Sequence, residues 1–196
     1  MNAVLRVVSI APGASVQDLG RHGYQRFGIA EGGVMDRTAY AEGAALVGNS
    51  IDSAVIEFSG NGGEFQVGER PILIACTGAS MGLKIDGNTV PWRTSVLVNP
   101  GQVVTISAAR DAVFGYLHVH GGIDVPVVLG SRSTHGRAGF GGYCGRFLQA
   151  GDELTIIESG TGEPNLHIYN ESLAAIESVR IVWGPQADQF LSLIHI

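Results

Sequence analysis

Glycine is the residue that most restricts what this chain can become. Twenty-nine of its 196 residues are glycine, roughly twice the ordinary share. They follow no collagen-like triplet, so they serve turns, bulges and places where two stretches of backbone come close. Such spacing favours many short strands over long helices, and the length suits one β-rich domain, or one domain with the start of a second.

The remaining composition removes several function classes. Hydrophobic residues make up 45% of the chain, which excludes a disordered chain and permits a core that folds without metal or disulfide staples. Charged residues are only 15%, against roughly 25% in an average soluble domain. Lys84 is the sole lysine, the net charge is -6, and no basic cluster occurs, so nucleic-acid binding is excluded as an expectation. A GxxxxGK[ST] phosphate loop is absent. The opening MNAVLRVVSIAPG carries too short an apolar run for a signal peptide, and no stretch predicts a membrane span. Cys76 and Cys144 lack CxxC spacing and read as two buried thiols in a reducing cytoplasm. The expectation is a cytoplasmic protein with no nucleic-acid or membrane partner.

Periodicity along the chain predicts a strand from Val4 to Ile10, closed by Pro12-Gly13. Residues 15–35 hold five glycines and no sustained period, and read as a structured loop. From Asp36 the pattern changes. Tyr40, Ala44 and Val47 fall at helical spacing, Asp36 is placed to cap, and Gly48-Asn49 supplies a left-handed stop. This predicts one main helix over about 36–48. Strands are then expected at Ala54–Phe58, Glu64–Val67, Ile72–Cys76, Gly82–Ile85, Val96–Val98, Val103–Ser107, Val113–His120, Val125–Leu129 and Glu153–Glu158, with Asp86-Gly87 as a hairpin turn. Strands this short and evenly spaced predict a closed or sandwiched antiparallel β fold. The polar stretch SGTGEPN marks a break, which divides the chain into a domain at 1–160, a linker at 161–178 and the start of a second domain at 179–190. In that last part Arg180–Trp183 reads as a strand, and Gly184-Pro185 opens a helix through Phe190. The final LSLIHI matches the reading-frame product of a common transposon-end sequencing adapter, so 191–196 are expected to be a non-native tail on a truncated second domain.

Two polar loops could carry chemistry. The first is Gln17-Asp18-Leu19-Gly20-Arg21. Arg21 there can grip a carboxylate or phosphate with two prongs, or Asp18 and Arg21 can pair internally and fix the loop's shape. The second is Gly130-Ser131-Arg132-Ser133-Thr134, followed by the glycine-rich run to Gly145. Hydroxyls and backbone N–H groups around an arginine make an anion nest; the same run could serve as a subunit contact or a plain crossover. No GxSxG elbow surrounds either serine.

The segment FGYLHVHGG places Phe114, Tyr116, His118 and His120 on one face of a strand and Leu117 and Val119 on the other. An HxH pair followed by Asp124 is a conceivable ligand set, against which stands a polar lining of a barrel or cleft; no metal is assigned. Glu57 interrupts the apolar VIEF. By default it faces solvent; if inward, it needs a partner, most simply an arginine.

The ordered motifs VQDLGRHGYQRFGI, GGVMD, ALVGN, IEFSGNGGEF, CTGA, GYLHVHGGIDVPVVLGSRST, GGYCGRFLQAGD and RIVWGPQADQF closely resemble the allophanate hydrolase subunit 2 family. Its members are also described as biotin-dependent carboxyltransferases and as the C-subunit of bacterial ATP-dependent 5-oxoprolinase. The resemblance runs from about Val7 to Phe190. It implies a mainly β, cyclophilin-like closed antiparallel β-barrel with one main helix, in a family whose members are about half as long again or more, with two such halves.

The resemblance also implies three possible activities. One is ATP-dependent opening of 5-oxo-L-proline to L-glutamate, with subunits A and B as partners (a protein like the B-subunit most directly) and ATP with Mg2+ used by the complex. The second is carboxyl transfer from carboxybiotin in a urea carboxylase or allophanate pathway, which alone would call for biotin. The third is non-catalytic regulation through an inhibitor of a sensor kinase. A separate reading frame without a biotinyl-lysine motif looks most like the oxoprolinase subunit. Under that reading Gln17, Arg21, Arg132, Ser133 and Thr134 are expected to hold anionic groups of substrate or nucleotide, and Asp18, Asp36 and His120 to act catalytically on water, lactam nitrogen or phosphate. The fragment alone is expected to be inactive.

Overall fold

The computed structural model describes residues 2–157, 163–169, 178 and 180–185. Among them the strands are β1 (Val4–Ile10), β2 (Ser15–Gln17), β3 (Val55–Ser59), β4 (Gly63–Val67), β5 (Ile72–Gly78), β6 (Met81–Ile85), β7 (Asn88–Val90), β8 (Ser95–Val98), β9 (Val103–Ala109), β10 (Phe114–Val119) and β11 (Glu153–Thr155), with a single α-helix, α1 (Arg37–Val47). They build two antiparallel sheets, ordered β11-β1-β4-β9-β6-β7 and β2-β3-β10-β5-β8.

The sheets face each other across one apolar core. Leu5, Val7, Phe65, Val67, Leu83 and Val104 of the first sheet meet Ile56, Phe58, Ile74, Cys76, Leu117 and Val119 of the second. Phe58 and Phe65 touch edge-on across the interface with ring centres 5.9 Å apart. Along β1 and β9, buried and more exposed residues alternate, as a sheet with one wet face requires. The second sheet differs, because α1 covers its other face through Ala39, Tyr40, Leu46 and Val47. Its interior strand β5 is therefore apolar on both sides, and Ile72 through Cys76 are all buried.

The barrel expected from the family resemblance does not close. The strands flanking the seams are short: β2, β7 and β11 have three residues each and β8 has four. A three-residue strand reaches only about 10 Å, too little to stitch the sheets together. Loop segments occupy those edges instead. Asp124 N–H donates to the Thr155 carbonyl, Thr134 N–H to Val16, and Ser95 N–H to Leu166. Covering an edge in this way hides its backbone groups as effectively as closure would. Residues 163–169 thus lie along β8, where Thr94 and His167 form an antiparallel bridge.

Helix α1 starts where Asp36 accepts the Ala39 N–H at 3.0 Å and stops at Gly48, whose φ is 68°. Asp86 and Gly87, at φ 48° and 81°, turn β6 into β7, the left-handed pair that a tight hairpin needs. Other expectations require correction. Residues 15–35 open with β2 instead of forming loop throughout. No strand spans Val125–Leu129: Pro126 has no N–H to offer a ladder, and Val128 bridges only Ser131 around a turn in which Leu129 and Gly130 have positive φ. The strand expected to reach Glu158 ends at Thr155, with an isolated bridge from Ile156 to Ile123. Arg180–Trp183 is not a strand; Ile181, Val182 and Trp183 are exposed. The helix expected from Gly184-Pro185 through Phe190 falls outside the described residues beyond Pro185, as does the tail at 191–196. No helix among the described residues is long and apolar enough to cross a membrane.

Candidate functional site

The end of β2 delivers Gln17 and Asp18 into a chain that doubles back on itself. Arg21 N–H donates to the Glu31 carbonyl at 2.8 Å and Val34 N–H to the Asp18 carbonyl at 2.9 Å. The two limbs touch so closely that a Cβ on Gly20 would sit 2.8 Å from the Gly32 carbonyl, and one on Gly33 2.8 Å from Leu19. Only glycine permits that approach. The turn at Leu129-Gly130 then brings Ser131–Thr134 alongside, where the Thr134 N–H and hydroxyl both donate to the Val16 carbonyl at 2.9 Å.

The two loops are locked by Asp18. Its Oδ1 accepts the hydroxyls of Ser131 and Ser133, each at 2.6 Å, and the Gly20 N–H at 2.8 Å; its Oδ2 accepts the Arg132 N–H at 2.5 Å. Burial works to raise the Asp18 pKa, but these donors together outweigh it and hold the carboxyl below its ordinary value. Asp18 is thus an ionised clamp with both oxygens occupied. The Asp18–Arg21 pair weighed from the sequence does not form; Asp18 fixes the loop's shape through hydroxyls and backbone N–H groups instead.

Arg21 is 1% exposed. Its Nη2 donates to the Ser133 carbonyl, while Nε and Nη1 meet no acceptor. Burial draws its pKa down, opposed by the nearby charge of Asp18. The guanidinium lies over the Phe140 ring, 4.9 Å from its centre. Arg132 is half-buried and donates through Nε to the Val125 carbonyl at 3.2 Å. Gln17 donates to Ser15 Oγ at 2.9 Å and to the Thr134 carbonyl at 3.4 Å, leaving its buried Oε1 unmatched. Gln17, Asp18, Arg21, Arg132, Ser133 and Thr134 therefore form one cluster.

Asp36 and His120 stand apart from it. Asp36 is exposed and caps α1, its own N–H donating to the Tyr116 hydroxyl at 2.7 Å. His120 lies at the opposite end of that helix, its Nδ1 2.7 Å from the Val47 carbonyl. His118, its neighbour on the strand face, is wholly buried under α1 with Nε2 3.3 Å from Thr77 Oγ1. Because that hydroxyl donates to the Ala39 carbonyl, Nε2 must carry the proton and donate back, and burial pushes the His118 pKa down to about 3. The face expected to line a cleft is instead a helix-covered interior.

Glu57 is buried, correcting the solvent-facing default, and its partners are not arginines. Its Oε2 accepts the Met35 N–H at 2.8 Å and the Tyr116 hydroxyl at 2.9 Å. Burial pushes its pKa up. Both cysteines are free thiols, but only Cys76 is buried; Cys144 is exposed.

Sequence reasoning missed a cavity of about 360 Å³ between Asp124–Val128 and the loop from Gly139 to Gly145. Its only signal was the glycine run itself. Gly139, Gly141, Gly142, Cys144 and Gly145 all have positive φ, and a Cβ on Gly142 would lie 1.9 Å from Thr134 Oγ1. The glycines press this loop onto the Ser133-Thr134 turn and so join the cavity to the cluster.

The family model for the carboxyltransferase domain, subdomain A and B, matches residues 27–193. The chain belongs to that family. Within it, the chain is 37% identical over 153 residues to the 5-oxoprolinase C-subunit of Haemophilus influenzae, covering 77% of this chain and 48% of that protein. It is 33% identical over 182 residues to the 5-oxoprolinase C-subunit of Escherichia coli, covering 92% and 55%. The chain thus spans about half the length of these relatives. The crystal structure of the K. lactis urea amidolyase superposes with a TM-score of 0.78 at 30% identity, over 85% of this chain and 10% of that one. Among the described residues of this carboxyltransferase-family chain, no three His, Cys, Asp or Glu side chains converge to hold a metal ion. Asp18 is fully engaged by its donors and Asp36 caps α1 apart from it, so these two do not together form a Mg2+–nucleotide site.

Proposed function

We propose that this chain acts within a subunit of an ATP-dependent 5-oxoprolinase complex that hydrolyses 5-oxo-L-proline to L-glutamate in the cytoplasm. Support comes from its 37% and 33% identity to two proteins named as the C-subunit of 5-oxoprolinase. The observation that carries the reading is the docking of the Arg21 loop onto the Arg132 loop through Asp18. It brings Arg21 and Arg132 onto adjoining loops, and their positive charge suits a site for negative charge that is present in the substrate carboxylate or develops as the lactam opens.

Hydrolysis of this lactam is uphill, and phosphorylation of its carbonyl oxygen is a sensible route around that barrier. ATP and Mg2+ are assigned to the assembled complex, with subunits A and B as partners and a protein like the B-subunit as the direct one. Turnover is assigned to that complex, since the chain spans about half of the relatives' length. A second reading, the carboxyltransferase component of a biotin-dependent urea carboxylase, is favoured by the family description and by the likeness to the K. lactis urea amidolyase.

The test is coexpression with candidate partners of both kinds and an assay of ATP hydrolysis. Dependence on 5-oxo-L-proline supports the first reading. Consumption of ATP only with urea and bicarbonate overturns it in favour of the second.

A further inference from the structure

Past Arg21 the chain forms an exposed finger over residues 22–30, tipped by a single 3-10 turn, Gln25–Phe27, in which no residue is buried. The turn is held by its own backbone. The Tyr24 carbonyl accepts the N–H groups of Phe27 at 2.9 Å and Ile29 at 3.4 Å, and the Gln25 carbonyl accepts that of Gly28 at 2.9 Å. Phe27 is 64% exposed, and the Arg26 guanidinium lies over its ring, 4.7 Å from the centre. Three such stacks occur among the described residues, and in this one alone both members are exposed. An aromatic ring and a cation fixed in place before anything touches them make a preorganised anchor for an interface.

The cavity carries the matching features. Val125, Pro126, Val128 and Phe140 give it apolar walls, and Asp124 is the one charged residue on its lining. Among the described residues neither Asp124 nor Arg26 takes part in an ion pair. A volume near 360 Å³ lies at the small end of ligand pockets, which suits one aromatic ring and the stem of its neighbour. Arg21 stands between finger and cavity. A Cβ on Gly32, at the finger's base, would sit 3.3 Å from its Nη1, and one on Gly141, in the cavity wall, 2.8 Å from its Nη2. Phe27 stays exposed in its own chain, so a ring that fills the cavity comes from another molecule.

We propose that the chain self-associates, the Phe27 ring of one copy seated in the cavity of a second copy and its Arg26 paired with the second copy's Asp124. One chain carries both complementary halves of this contact, an aromatic tip with an unpaired cation and an apolar hole with an unpaired carboxylate, so a second copy supplies whatever the first lacks. Val127 and Leu129, exposed beside the lining, extend the apolar rim. Seating the ring removes its apolar surface from water, and the single charge pair fixes which way the tip enters. Self-association is independent of the oxoprolinase reading.

The test is sedimentation equilibrium of the whole chain across the micromolar range. Concentration-dependent association is expected, and Phe27→Ala should weaken it at least about thirtyfold, the loss that marks an interface hot spot. Arg26→Asp sets a carboxylate against Asp124, and Asp124→Arg sets a guanidinium against Arg26; each alone should weaken association at least about tenfold. Mixed in equal amounts, the two variants should associate again, because every contact between unlike copies then joins opposite charges, whichever copy supplies the tip. All three positions are exposed, so the variants are expected to fold. Cys144, an exposed thiol on the lining, should react more slowly with a maleimide as association proceeds, and should keep its reactivity in Phe27→Ala. A chain that stays monomeric throughout the range, association that survives Phe27→Ala, or a mixture no better than its components overturns the proposal. Phe27-dependent binding of a monomeric chain to a candidate partner subunit also overturns it, and assigns the tip to that subunit.

Discussion

The Ser131 hydroxyl donates to the Asp18 carboxylate at 2.6 Å across 113 residues of intervening chain. That bond, repeated by Ser133 and by the Arg132 N–H, places two arginine-bearing loops at one corner of the sandwich, along the outer edge of β2 that Thr134 covers. It also decides what Asp18 can do. A carboxylate occupied on both oxygens is a poor base and a good clamp.

Asp18→Ala should therefore act on stability before chemistry. It strands two buried hydroxyls and two backbone N–H groups, and bonds to a charged acceptor are worth roughly 1.5–3 kcal/mol each before relaxation. A total loss on the order of 3 kcal/mol is expected from urea unfolding, and a loss below about 1 kcal/mol would show that the loops dock without it. Because the folded pKa of Asp18 is depressed, its contribution is complete above the ordinary carboxylate value and disappears as pH falls through the folded value.

His118 sets a second acid dependence. It is neutral in the folded protein, its pKa pushed down by burial to about 3, whereas in the unfolded chain it takes up a proton below about 6.5. Stability from this group is fully present above that unfolded value and is lost as pH falls toward the folded one. By pH 4.5 the loss should reach about 3 kcal/mol. Denaturation midpoints of wild type and His118→Gln between pH 7 and 4.5 should converge; parallel curves would mean that His118 titrates normally.

Gly43 is the helix position that lets His118 in. A Cβ there would sit 2.1 Å from His118 Nε2, so Gly43→Ala should destabilise by about 2 kcal/mol through overpacking despite its better helix propensity. Adding His118→Ala should recover part of that cost. Strict additivity in the double variant would contradict the contact.

Asp36 has a capping role that is separable from catalysis. Asp36→Ala should cost about 1 kcal/mol, while Asp36→Ser, which preserves the cap, should cost little. If the reconstituted complex loses turnover with serine at this position as well, Asp36 does more than cap.

Arg132→Ala tests the anion site directly. The guanidinium contributes one bond, to the Val125 carbonyl, so the melting temperature should barely move. Turnover of the reconstituted complex should fall roughly a hundredfold, the usual effect of losing a preorganised donor to developing charge. Unchanged turnover would remove Arg132 from the site.

Local chemistry was legible in the amino-acid sequence. Asp36 and Gly48-Asn49 bracket α1 as capping rules require, Asp86-Gly87 turns its hairpin, and alternation marks β1 and β9, because each signal acts between residues a few positions apart. The family, too, could be recognised from ordered motifs. What the tertiary structure alone decided is everything that depends on distance in the chain. The face of β10 bearing His118 is dry because α1 lies on it, Glu57 turns inward because Tyr116 and the Met35 N–H meet it, and the sheets stay open because loops cover their short edges. Likewise, Arg21 stood out in the sequence as a loop residue fit to grip an anion, and only packing decided that Ser133 and Phe140 fold over it and leave two of its nitrogens without an acceptor. Periodicity reports whether a residue is suited to burial; which partner waits there is set by packing between segments that no local pattern connects.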